Sequence, residues 1–216
     1  MKIMNELAYC INPIDEDTIA EGMRYLAAVD VDVANALITY GPPPPRLRPE
    51  GFETFLSIIV SQQISTNVAR TIMGRVVDLL PEVSADALMV TEDIALRKAG
   101  LSYRKIEYAK SLAAAIQSGY FDISGLKTMS NEKAIKEITA LRGFGRWSAE
   151  IYLMFSLQRK DIFPVDDLAL LVSLGRLKQL KDKPTPKQAR DLLAHWAPWR
   201  SVGALFLWHF YHGVPT

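Results

Sequence analysis

Leu141-Arg-Gly-Phe-Gly-Arg-Trp-Ser-Ala149, followed by an apolar run and then by Phe163-Pro-Val-Asp-Asp-Leu168, is the stretch that decides how this chain folds. Upstream of it, Asn131 to Arg142 places Ala134, Ile135, Ile138 and Leu141 on one face at helical spacing, with Ser130 available as N-cap. Gly143 and Gly145 break that helix. Arg146 to Leu157 then starts another, with Ile151, Met154 and Phe155 apolar. The expectation is a helical hairpin with a very short turn. Two of the three turn positions lack a Cβ, so the backbone can approach a ligand closely. The new helix points unpaired N–H groups and its positive dipole end outward, a setting that suits a phosphate. Taken alone, Gly-x-Gly reads more simply as an ordinary connector, so the flanking residues must decide.

Outward from the hairpin the signals stay helical, and no strand-like alternation or internal repeat stands out. Asp15 to Val29 and Val31 to Tyr40 read as two helices, and Gly41 with Pro42 to Pro45 reads as an extended connector. Phe52, Phe55, Leu56 and Ile59 form one apolar stripe; Val68, Ile72, Val76 and Leu79 form the next, ended by Pro81. Ser84 and Thr91 are expected N-caps of short helices, and Gly100 stops the second. Ser102 is expected to cap a longer helix that Gly119 ends, Thr185-Pro186 to start another, and Pro198 to open the last. Asp166 and Asp167 stand just before a helix expected from Leu168 to Lys178. A carboxylate there can accept backbone N–H bonds and lies in the field of the helix dipole. Each is by itself a plain N-cap candidate.

The 216 residues, 49% hydrophobic, suffice for one large or two modest cores. No window has the length and purity of a transmembrane helix, and the start lacks a basic-then-apolar leader, so an intracellular protein with no membrane role is expected. Cys10 is the single cysteine, which excludes an intramolecular disulfide and a four-cysteine iron–sulfur cluster. A net charge of +1 gives weak support to a nucleic-acid partner. Its distribution says more: residues 1–53 hold nine acidic and four basic side chains, and 131–200 hold thirteen basic and eight acidic. The hairpin half is the better nucleic-acid face, with Arg142, Arg146 and Arg176 as its candidate contacts. His195, His209 and His212 have no companion ligands at metal-binding spacing and read as structural, as do Trp196 and Trp199.

Read together, Leu141 to Ala149 and Val165-Asp-Asp167 resemble the helix-hairpin-helix (HhH-GPD) DNA glycosylases, which excise damaged bases. Leu56-Ser-Ile-Ile-Val-Ser-Gln-Gln-Ile-Ser65 resembles that family's early helix. Ala197-Pro-Trp-Arg-Ser-Val-Gly-Ala-Leu-Phe-Leu-Trp208 is similar to the closing helix of its 3-methyladenine glycosylase II branch. The resemblance implies an all-α fold with two helical subdomains flanking an active-site cleft. The whole chain, 1–216, would be one glycosylase unit: N-terminal helices and Pro-rich connector over 1–50, a helical bundle over 51–130, the hairpin over 131–157, and the catalytic-Asp and closing helices over 158–216.

What the resemblance implies about chemistry is specific. A glycosylase flips the target nucleotide out of the stack and breaks the bond between sugar and base. Positive charge develops on the sugar, so a carboxylate beside it stabilises the transition state and can direct the attacking water. By its match to the motif, Asp167 carries that role and Asp166 caps or positions. Bifunctional relatives place a lysine where this chain has Trp147, which implies a monofunctional enzyme that leaves an abasic site. Trp147 and Trp208 are the implied base-pocket pair, their faces attractive to an electron-poor alkylated purine of the 3-methyladenine or 7-methylguanine kind. Tyr152 is a further pocket candidate, although the family's pocket tyrosine falls at Ile151, one residue earlier. Gln63, or alternatively Gln62, would fill the space left by the flipped nucleotide. Arg142, Gly143, Phe144, Gly145 and Arg146 would bind DNA. No cofactor is implied, beyond an alkali cation that the hairpin carbonyls could hold. The implied partner is double-stranded DNA carrying damaged bases, with no obligate protein partner, in a DNA-associated, cytoplasmic setting. Two other readings stay open: a non-catalytic helix-hairpin-helix DNA-binding module, and an oxidised-purine DNA glycosylase.

Overall fold

A computed structural model describes residues 13–213, and Cys10 lies outside them. The described residues form helices and connecting turns, with no strand among them. They divide into two compact units, each considered by itself: Met1–Leu47 with Leu153–Thr216, and Arg48–Tyr152. The N-terminal helices therefore belong with the C-terminal ones, and the middle of the chain forms its own unit.

In the first unit, α1 (Glu16–Val29) and α2 (Val31–Tyr40) pack together and against α10 (Leu168–Leu177) and α12 (Arg200–Tyr211), joined by the short α11 (Pro186–Leu192) and a 3₁₀ turn at Ala194–Trp196. α12 is the central element because Ser201 through Trp208 are all buried, a helix apolar on every side and enclosed on every side. Its buried serine is satisfied: Ser201 donates to the Arg159 carbonyl at 2.5 Å and accepts from Ile162 N–H at 2.9 Å, while Ser173 of α10 donates to the Leu207 carbonyl of α12 at 2.6 Å. α11 starts as expected, with a complete capping box between Thr185 and Gln188 and Pro186 in its first turn. The last helix starts later than expected. Its N-cap is Trp199, so Pro198 precedes the helix and does not open it.

The second unit holds α3 (Phe52–Ser61), α4 (Thr66–Leu79), α5 (Ala85–Val90), α6 (Asp93–Ala99), α7 (Tyr103–Gln117), a 3₁₀ turn at Ser124–Thr128, α8 (Asn131–Thr139) and most of α9 (Arg146–Phe155). Phe55 anchors its core. The ring meets Phe121 and Phe144 edge-on at 5.4 and 5.5 Å and stacks on Tyr152 at 4.1 Å. Ser84, Ser102 and Ser130 are the N-caps that their positions suggested, each accepting from the backbone N–H three residues on. Thr91 is not. Its hydroxyl donates back to the Ala87 carbonyl at 2.7 Å, and Glu92 stands at the N-cap of α6. The expected Val68–Leu79 stripe is likewise corrected: only Val76 of it is buried, while Val68 and Leu79 face solvent, because α4 lies on the outside of its unit.

Candidate active site

The hairpin turn lies in the second unit. α8 ends at Thr139, earlier than the expected Arg142, and the chain turns through Leu141 to Gly145, with Phe144 N–H donating to the Leu141 carbonyl at 3.1 Å. The two glycines do different work. Gly143 has φ +89, and a Cβ there would run into the Tyr108 ring, so both backbone and packing demand glycine. At Gly145 φ is not positive and a Cβ would meet nothing within 4 Å. The protein's own packing does not require glycine at Gly145, and the turn surface there is open to close approach. Ala149 N–H donates to the Gly145 carbonyl at 3.2 Å and opens α9, with Arg146 and the half-buried Trp147 in its first turn.

Gln62 and Gln63 separate cleanly. Gln62 Nε2 donates to the Gly143 carbonyl at 2.8 Å, which ties the end of α3 to the hairpin. Gln63 is exposed and sits at φ +57, a conformation uncommon for a residue with a Cβ. Beside them runs a groove of about 400 Å³ lined by Gln62, Gln63, Arg104, Lys105, Tyr108 and Trp147, among others. Arg104 Nε donates to the Tyr108 hydroxyl at 2.6 Å, and Lys105 Nζ to the Val60 carbonyl at 2.7 Å. Burial pulls the Lys105 ammonium below its ordinary range. These three residues escaped sequence reading. The signal for them was the basic pair following a Ser N-cap, Ser102-Tyr-Arg-Lys105, at the start of a helix.

Two arginines expected to meet DNA carry ion pairs: Arg142 with Glu107 at 2.7 Å, and Arg146 with Glu150 at 2.8 Å. The first is exposed on both sides and so weak and exchangeable, whereas the Glu150 carboxylate is only 3% exposed and has the Arg146 guanidinium as its counter-charge. Arg176 is exposed on α10 in the other unit, its guanidinium 5.4 Å from the Tyr211 ring centroid. The Phe144 side chain is 5% exposed and belongs to the Phe55 cluster, so its part in the turn is its backbone. Tyr152 requires correction. It is fully buried, stacked on Phe55, and its hydroxyl accepts from Gly51 N–H at 3.2 Å. That makes it a core residue, and burial pushes its phenol up to about 12.

The carboxylate stands in the first unit. Asp167 is the N-cap of α10, with φ −77 and ψ 116; its Oδ1 accepts from Leu170 N–H at 3.0 Å and from Trp208 Nε1 at 3.3 Å. The side chain is half-buried, and its neighbours Asp166 and Leu168 are exposed. Trp208 is itself flanked by Phe155, ring centroids 5.7 Å apart. Here an indole edge and a helix terminus fix one carboxylate oxygen, while the chain on either side faces solvent. Trp196 is fully buried and Trp199 nearly so, which agrees with a structural reading of both. His195 and His209 are held by Asp30 at 3.1 Å and by the Tyr40 carbonyl at 2.8 Å. Among the described residues no group of three or more His, Cys, Asp or Glu could hold a metal ion, and no helix is long and apolar enough to cross a membrane.

Comparison with known proteins places this geometry. Residues 56–198 match the HhH-GPD superfamily of base excision DNA repair proteins. The chain is 32% identical over 167 residues to DNA-3-methyladenine glycosylase 1 of Schizosaccharomyces pombe, covering 74% of this chain and 72% of that protein. It spans less of other curated relatives: 58% of a Bacillus subtilis protein and 48% of a Saccharomyces cerevisiae one. Among solved structures, a DNA-3-methyladenine glycosidase from Bacillus halodurans superposes with TM-score 0.78 at 31% identity, covering 88% of each chain. The S. pombe glycosylase in complex with abasic DNA gives TM-score 0.78 at 27% identity over 88% of this chain and 95% of that one. The hairpin turn, the capping aspartate and the extent of these matches lead to one assignment: the chain belongs to the HhH-GPD superfamily of base excision DNA repair proteins.

Proposed function

We propose that this protein is a monofunctional DNA glycosylase. It hydrolyses the N-glycosidic bond of alkylated purines, of the 3-methyladenine and 7-methylguanine kind, in double-stranded DNA and leaves an abasic site. The observation that carries this reading is Asp167: a carboxylate held by the Leu170 N–H and the Trp208 indole at the half-buried start of a helix. The names of the similar proteins supply the substrate class.

In this reading a phosphate of the damaged strand rests on the N–H groups opening α9, approached across the open surface of Gly145. Gln63 takes the space vacated by the flipped nucleotide, and Gln62 stays behind to hold the hairpin. Trp208, bonded to Asp167, is the aromatic face offered to the base in its own unit, and Trp147 is a proposed base contact of the hairpin unit. As the C1′–N bond breaks, its electron pair leaves with the base, so a cationic alkylated purine departs neutral. The Asp167 carboxylate offsets the positive charge that remains on the sugar, orients a water to form the new C1′–O bond, and receives the spare proton. Trp147 supplies no amine, so no Schiff base with the sugar forms.

The test is incubation with duplex DNA treated with a methylating agent, followed by identification of each released base. The expected result is release of 3-methyladenine and 7-methylguanine with intact abasic strands. A complex trapped by borohydride would instead make the protein a bifunctional enzyme of the oxidised-purine kind. Binding without release of any base would make it a non-catalytic helix-hairpin-helix module.

A further inference from the structure

Trp208 is only 8% exposed, and within its own unit one of its neighbours is a cation: the Arg46 guanidinium lies 6.0 Å from the indole centroid. Arg46 is exposed, and no hydrogen bond or ion pair reaches its guanidinium among the described residues. Its backbone is not loose. It follows Pro42-Pro-Pro-Pro45 and precedes Pro49 by three residues, in an extended segment anchored by the buried Pro43. Proline fixes φ, so a stiff segment delivers this arginine to one indole. That indole is the one whose N–H is bonded to the carboxylate proposed to be catalytic.

We infer that Arg46 is a specificity-determining residue of base excision, favouring neutral purine lesions over cationic ones. The inference rests on the glycosylase reading above. With the guanidinium in place, the attraction of the Trp208 face for a cation is already used. A base carrying positive charge gains little from that face and meets a like charge. A neutral purine meets no repulsion and can stack on the planar guanidinium. For a cationic base stacked on the guanidinium in partly solvated surroundings, the charge repulsion corresponds to about a fivefold bias in rate.

The experiment measures single-turnover release, with enzyme in excess, from two duplexes of the same sequence. One carries 7-methylguanine, cationic while bonded to the sugar, and the other carries neutral ethenoadenine. For Arg46→Gln the ratio of the 7-methylguanine rate to the ethenoadenine rate should rise about fivefold, and Arg46→Lys, which keeps the charge, should hold it within about twofold of the parent. An unchanged ratio in Arg46→Gln overturns the inference. So does an equal fall in both rates, which would make Arg46 a DNA-backbone contact, and so does a parent protein that releases 7-methylguanine but no ethenoadenine. A parent that releases neither base refutes the glycosylase reading itself, and the inference with it.

Discussion

Two aspartates of one unit do the same local job and differ in everything else. Asp30 caps α2 and accepts from Asp32 N–H at 3.1 Å and Trp196 Nε1 at 2.7 Å; Asp167 caps α10 and accepts from Leu170 N–H and Trp208 Nε1. Each carboxylate is therefore pinned by a helix terminus and an indole. Asp30 is also sealed, its side chain 1% exposed and the Lys178 ammonium 2.6 and 2.7 Å from its two oxygens. Burial pushes the Asp30 carboxyl up, but Lys178, Trp196 and His195 together outweigh it and hold the group below the usual carboxylate range. Asp167 remains half-buried between exposed neighbours. The comparison teaches that a cap and an indole only hold a carboxylate, and that access to solvent separates a structural group from one able to act on a substrate. The two are also linked, since Lys178 is the C-cap of the helix that Asp167 begins: the buried pair secures one end of α10 and Asp167 caps the other.

The largest expected effect breaks the structural side of this comparison. Asp30→Asn should destabilise the protein by about 3 kcal/mol in urea unfolding, because it leaves the mostly buried Lys178 ammonium without its main counter-charge. The pH dependence follows from the lowered pKa. The contribution of ionised Asp30 is complete above its unfolded value of about 4 and is lost as pH falls through the lower folded value. Parent and variant stabilities should therefore converge in acid, and a constant gap down to pH of about 2 would contradict the assignment.

Next comes the hairpin, where the two glycines should part company. Gly143→Ala should cost about 2 kcal/mol, from its positive φ and the collision with the Tyr108 ring. Gly145→Ala should change stability by less than about 1 kcal/mol yet weaken binding to abasic-site DNA about tenfold, as measured by titration. Equal behaviour of the two would remove the distinction between a folding glycine and a binding one. The smallest effect is at Tyr152. Losing its hydroxyl as phenylalanine should cost about 1 kcal/mol, with base release unchanged. Its folded phenol ionises only at about 12, so its share of stability is lost as pH rises from the unfolded value of about 10 through that value; Tyr152→Phe should flatten the alkaline limb. A slowed release by the variant would return Tyr152 to the site.

The local chemistry of this chain was legible in sequence because caps and turns act over three or four residues. Ser84, Ser102, Ser130, Thr185 and Asp167 all stand where their position before an apolar helix suggested. Thr91 misled because a threonine hydroxyl at the end of one helix can bond back to that helix instead of capping the next. For Tyr152 and Phe144, motif position says which element a residue is on and not which way its side chain faces. Both turn into the cluster around Phe55, 89 and 97 residues away in sequence from Phe144 and Tyr152 respectively. The Asp30–Lys178 pair was unreadable for the same reason at longer range, since 148 residues separate its members and only the fold joins them. Gln63 stood ahead of Gln62 only by its match to the family pattern; the fold adds that the Gln62 side chain is bonded to the Gly143 carbonyl while Gln63 is exposed.

One measurement bears most directly on the role of Asp167. Asparagine also caps helices, so Asp167→Asn should keep its bond to Leu170 N–H and the fold, while losing the negative charge. Single-turnover release of 7-methylguanine by this variant should fall by about 10²–10³-fold, with binding to abasic-site DNA retained within about twofold. Release at the parent rate from a folded, DNA-binding Asp167→Asn protein would contradict the account.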